Sequence, residues 1–159
     1  MSEGTLVDAL RPGEAVLVKA PTRSNGERAV CHDLLATATP TETRVLVVTM
    51  LDRAASRQVQ WERHVEAGVP AALAVVEVAP GASGGTDAPA DPDWNAAVRR
   101  VTSPSDLTEI GMAVGSALDS RGDAGAPITV CFHSVSALLQ YAESRRVFRF
   151  LHLLTSRLA

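Results

Sequence analysis

Apolar positions along this chain gather into short, nearly continuous runs, separated by longer stretches with helical spacing. Ala15–Val18, Arg44–Met50, Ala71–Val78 and Ile128–Phe132 are such runs. Their length, β-branched content and lack of polar alternation predict parallel strands covered on both faces. Between them, Val30, Leu34 and Leu35 form the apolar face of a helix from Gly26 to Ala38, with Arg28, His32 and Asp33 outside it or at its edge. A second helix is expected over Arg53–Glu66, capped by Asp52, centred on Val59 and stopped by Gly68 and Pro70. Ala97–Thr102 suggests a short edge strand. Ser103-Pro104-Ser105-Asp106 then forms a turn into a helix carrying Leu107, Ile110, Val114 and Leu118. Asp106 followed by Glu109 fits a capping box, and Ser105 is the other candidate cap. The last stretch is helical with a break near Glu143-Ser144, and its stripe is Val147, Phe148, Leu151, Leu154 and Leu158.

This alternation predicts an α/β three-layer sandwich with a mostly parallel sheet and right-handed crossovers. One domain is expected over residues 1–159, with a mobile Gly/Pro-rich loop at about 79–95. Ligands of such sheets lie beyond the carboxyl ends of the strands. Lys19–Gly26, Thr49–Asp52 and His133-Ser134 would therefore border one crevice.

Composition narrows the function only a little. Hydrophobic residues make up 46% and aromatics 4%, so the core must be built from Ala, Val and Leu. A net charge of −3 gives no electrostatic case for nucleic acid. Lys19 is the sole lysine among 15 basic residues, an arginine bias that suggests a GC-rich genome. Cys31 and Cys131 sit in apolar patterns without metal-ligand spacing and are expected to be buried free thiols. The opening residues lack a secretory signal pattern, and no apolar stretch approaches the ~18 residues of a membrane span. A cytoplasmic protein with no membrane partner is the expectation.

The first strand, loop and helix have the layout of a phosphate-binding loop but not its chemistry. Aligned on the second glycine of Gly-x-x-x-x-Gly-Lys-Ser/Thr, the octet is Pro21-Thr22-Arg23-Ser24-Asn25-Gly26-Glu27-Arg28, in which only Gly26 is retained. Pro21 has no N–H, Glu27 stands in place of the lysine, and Arg28 cannot hold magnesium. A carboxylate about 4 Å from a phosphate charge is repelled by about 4 kcal/mol at an effective dielectric near 20. Lys19, Arg23 and Arg28 are either solvated surface charges or a residual anion site at the helix N-terminus.

At the second position, the apolar strand Ile128–Phe132 ends in His133, where a metal-holding aspartate would stand. His133 is either a hydrogen-bonded structural residue or one half of a pair with Asp52. Ser134 follows it without the Gly-x-Ser-x-Gly elbow of a hydrolase. No metal cluster is visible among His32, His64, His133 and His152. The last helix carries arginines, yet its aromatics lie on or near the apolar stripe, so core packing or a partner helix explains it better than nucleic acid.

Arg11–Val18 resembles the strand that opens RecA/KaiC-like P-loop ATPase domains, and Val130–Leu139 resembles their Walker B strand and the helix after it. Asp106–Gly111 and Phe148–Leu154 are similar to a small haloarchaeal group of KaiC-like proteins. The resemblance implies a RecA/KaiC-like core lacking the later strands, in an archaeal protein, with the nucleotide-site positions Arg23, Gly26, Glu27, Arg28, Asp52, His133 and Ser134 degenerate. A pseudo-ATPase is then expected. It would have no catalytic residues, metal or cofactor, and would act in regulation or signalling by contact with a protein partner or in a homo-oligomer. The alternative is a nucleotide- or anion-binding protein, or an enzyme, with a non-standard site in the strand-end crevice near Arg23, Arg28 and His133.

Overall fold

In the computed structural model, the described residues are 11, 13–21, 26–35, 44–50, 53, 72–80, 85–87, 96–119 and 127–159. The β-branched runs form strands β1 (Arg44–Met50), β2 (Ala72–Val78), β4 (Ala96–Val101) and β5 (Ile128–His133), with a short β3 (Gly85–Asp87). The helices are α1 (Gly26–Leu35), α2 (Leu107–Asp119), α3 (Val135–Leu138) and α4 (Ser144–Leu158). The sheet order is β3-β4-β2-β1-β5, parallel throughout except for β3 against β4. This is an α/β three-layer fold with a mostly parallel sheet, as the alternation of runs predicts.

Alternating side chains divide the strands between two cores. On one face Leu46, Val48, Met50, Ala74, Val76, Val78 and Val101 pack against Ile110 and Val114 of α2, Leu138 of α3 and Val147 of α4. On the other, Val45, Val47, Leu73, Val75 and Val98 meet Leu35 of α1, with Cys31 and Cys131 alongside. Neither cysteine is in a disulfide, and both are half-buried. His32, expected at the outer edge of α1, is buried instead. It lies three residues before Leu35, on the side that α1 turns toward the protein.

The α2 entry follows the sequence closely. Asp106 is the cap, its Oδ1 accepting the Glu109 N–H at 2.9 Å, and its own N–H donates to the Ser103 carbonyl at 3.1 Å. Chain continuity through the final helices is broken as expected, by turn residues 139–143 between α3 and α4.

Four expectations need correction. Ala15–Val18 is not a strand: residues 14–21 have no regular secondary structure and lie outside the sheet, and Leu17 is 81% exposed. A β-prone run needs a hydrogen-bonded neighbour to become a strand, and composition does not report whether one is available. β4 is not at the edge, because β3, formed inside the stretch expected to be a mobile loop, pairs with it. β5 is not fully buried: all six residues are half-buried, since β5 has β1 on one side and no described strand on the other. Phe148 leaves the stripe of α4 and is 73% exposed. At 100° per residue it stands a quarter-turn from buried Val147, stacked on His152 with ring centroids 6.3 Å apart. The helix expected over Arg53–Glu66 lies largely outside the described residues.

Candidate functional site

The penultimate position of three parallel strands is polar: Thr49 before Met50, Glu77 before Val78, and Arg100 before Val101. Strand register aligns them, Thr49 beside Glu77 and Glu77 beside Arg100. It also sets His133, the last residue of β5, beside Thr49. Registered neighbours in a parallel sheet share a face, so Arg100, Glu77, Thr49 and His133 make one row across four strands. The row lies on the α1 face, at the carboxyl end of the sheet, where open α/β folds place their ligands.

Burial along the row is deep at its centre. Thr49 is fully buried and Glu77 is 6% exposed. A carboxylate so far from water needs a counter-charge or several donors, and Arg100 Nε lies 3.6 Å from Glu77 Oε1. Chemically, this couples the buried carboxylate to a cation supplied by the protein itself. His133 closes the row, and its peptide to Ser134 is cis. Ser134 is committed locally: its Oγ accepts the Ala137 N–H at 3.1 Å and caps the single turn of α3. Among the described residues, no group of three or more His, Cys, Asp or Glu converges to hold a metal.

Of the residues singled out from the sequence, His133 and Ser134 therefore lie at the strand end as expected, in sequence and in space. Gly26 is the first residue of α1, and Glu27 and Arg28 are in its first turn. Arg23 and Asp52 lie outside the described residues, as do the side chains of Glu27 and Arg28. Lys19 is exposed, on the segment outside the sheet. Thr49 lies at the strand end as expected, as the start of the Thr49–Asp52 stretch, whereas Glu77 and Arg100 are not expected from the sequence. The shared signal was a polar residue one place from the end of three apolar runs, which acquires meaning only when the strands are laid side by side.

A second feature lies on the outer side of the opposite helical layer. α2 and α4 run side by side in the same direction, with Gly111 against Phe150 and Gly115 against Arg157. They enclose an open groove of about 930 Å³. Its floor contains Gly111, Gly115, Phe150 and Leu154, and Phe150 is held edge-on by Phe132 with centroids 6.1 Å apart. Met112, 70% exposed, rises from the α2 wall and Leu153, 61% exposed, from the α4 wall. Arg146, Arg149 and Arg157 also line the groove, and among the described residues Asp119 is the single acid beside them. Arg157 Nη2 donates to Asp119 Oδ1 at 3.0 Å, strapping the two helices together at one end. None of the helices described is long and apolar enough to cross a membrane.

Residues 13–159 match DUF7504, a family of unknown function. No curated protein and no solved structure matches the chain significantly.

Proposed function

The chain belongs to the DUF7504 family, and we propose that it is a degenerate, non-catalytic RecA/KaiC-like domain that serves as a regulatory or signalling protein-interaction module. The observation that carries this function is the groove between α2 and α4. Monomeric proteins seldom leave large apolar side chains clustered in a rimmed concavity unless something binds there. Met112 and Leu153 stand on its two walls, flanked by arginines. Arginine is among the residues enriched at protein interfaces.

The strand ends support the non-catalytic half. In the resemblance to KaiC-like ATPases, His133 occupies the position of the metal-holding carboxylate. The buried carboxylate that the row does contain, Glu77, is drawn toward Arg100. An acid already neutralised by a protein cation is a poor ligand for magnesium, which binds through carboxylates and water.

The purified chain incubated with ATP and magnesium is expected to release phosphate at the rate of a protein-free control. Hydrolysis above that control, abolished by substitution of Asp52 or His133, would overturn the proposal. A second function, binding of a nucleotide or other anion in the strand-end crevice, is favoured by Arg100 in the row. It predicts a rise in melting temperature with ATP, GTP or phosphate that Arg100→Ala removes. The interaction module predicts no such rise.

A further inference from the structure

We propose that the α2–α4 groove receives an acidic amphipathic helix of a partner protein, an occupant that presupposes the interaction role proposed above. Its dimensions suit a helix. Thirteen residues of α2 span about 20 Å at 1.5 Å per residue, enough to support three to four turns of a partner laid alongside. Gly111 and Gly115 have no side chain, so Phe150 and Arg157 of α4 settle against α2, and an incoming helix can lie over them between Met112 and Leu153. These two residues would clasp anchors spaced i, i+3 or i+4, and i+7, as in other helix-in-groove complexes.

Charge selects the partner. The whole chain carries a net charge of −3, yet the groove concentrates Arg146, Arg149 and Arg157 around one carboxylate. Asp119 is engaged by Arg157, so among the described residues of the lining no further acid remains for Arg146 or Arg149. Glutamates on the flanks of a partner helix would supply those counter-charges, favouring encounter and excluding basic competitors.

The same charges argue against two other occupants. A symmetric pairing of two copies through this face would bring six arginines together, because an isologous contact apposes identical patches. Single-stranded nucleic acid needs exposed aromatic faces on which bases can stack. Among the described residues of the lining the one aromatic, Phe150, is half-buried and held edge-on by Phe132.

The test uses the full chain and two labelled 16-residue helical peptides, followed by fluorescence anisotropy. Both have leucines at i, i+3, i+4 and i+7; one is flanked by glutamates and the other by lysines. The acidic peptide is expected to bind at least about 10-fold more tightly than the basic one, and added salt should narrow the gap. Arg149→Glu and Leu153→Ser, both at exposed positions, should each weaken the acidic peptide by about 10-fold or more. Phe148→Ala, on another side of α4, should leave its affinity within about twofold. Circular dichroism verifies that each variant is folded.

Equal affinity for the two peptides, binding of neither, or indifference to Arg149→Glu would overturn the acidic-helix assignment. So would displacement of the acidic peptide by a single-stranded oligonucleotide at lower concentration, or a dimer by light scattering that Leu153→Ser dissociates. The last result would leave the interaction role standing with a second copy as occupant. ATP hydrolysis would instead remove the role itself.

Discussion

At the residue scale, the most informative side chain is Glu77, a carboxylate placed within an otherwise apolar strand. It is tolerable there because Arg100 lies 3.6 Å away on the neighbouring strand. Removing one member of a buried pair costs more than the pair contributes, since the remaining charge loses its compensation in a poorly solvated place. Glu77→Ala is therefore expected to lower unfolding free energy by about 2–3 kcal/mol. The double variant Glu77→Ala/Arg100→Ala should cost less than the sum of the two single changes. Urea denaturation of the four proteins measures both, and a Glu77→Ala variant within about 0.5 kcal/mol of the parent would refute the coupling. Asp106 acts more locally. Asp106→Ala should cost about 1 kcal/mol by leaving the Glu109 N–H without its cap, whereas Asp106→Ser should recover most of that loss.

At the element scale, strands and helices differ in how much of themselves they disclose. The α2 stripe Leu107, Ile110 and Val114 is buried as its spacing implies, and the cap lies where the Asp106–Glu109 pair puts it. α4 discloses less. Val147 is buried and Leu151 and Leu154 are half-buried, but Phe148 points to solvent. Hydrophobicity alone cannot separate a core residue from a neighbouring apolar residue a quarter-turn away. The groove is likewise a property of two elements. Arginines on α4 and glycines on α2 are unremarkable in either helix separately. They become a basic concavity once Gly115 lets Arg157 cross to Asp119. His133 was legible as a strand end because an apolar run stops there. Thr49 was legible in the same way, but Glu77 and Arg100 were not, because cross-strand register has no local signature.

At the scale of the whole molecule, the decisive question is which apolar runs join the sheet. Residues 14–18 have the composition of a core strand, yet Val16, Leu17 and Val18 are exposed. Leu17→Ser is accordingly expected to change stability by no more than about 0.5 kcal/mol. Val48→Ser, in the fully buried centre of β1, should cost about 3 kcal/mol, because it removes methyl groups and buries a hydroxyl. Thermal or urea unfolding compares the two directly, and equal costs would put residues 14–18 in the core. Family membership adds no activity, for DUF7504 is itself of unknown function. Function is therefore sought first in the strand-end row and the α2–α4 groove, the two sites among the described residues.

Local chemistry determined the class of this protein: β-branched runs favour strands, periodic Leu, Ile and Val favour helices, and their alternation favours parallel pairing. Local chemistry also made the phosphate-loop position unpromising, since Pro21 lacks an N–H and Glu27 is an acid whatever surrounds them. Tertiary structure decided the rest. Strand order placed Arg100, Glu77, Thr49 and His133 in one row, left the first apolar run outside the sheet, and put β5 beside β1 with no described strand on its other side. Helix packing made a basic groove from α2 and α4. Secondary structure follows from neighbours along the chain, whereas a site follows from neighbours in space, and only packing chooses those.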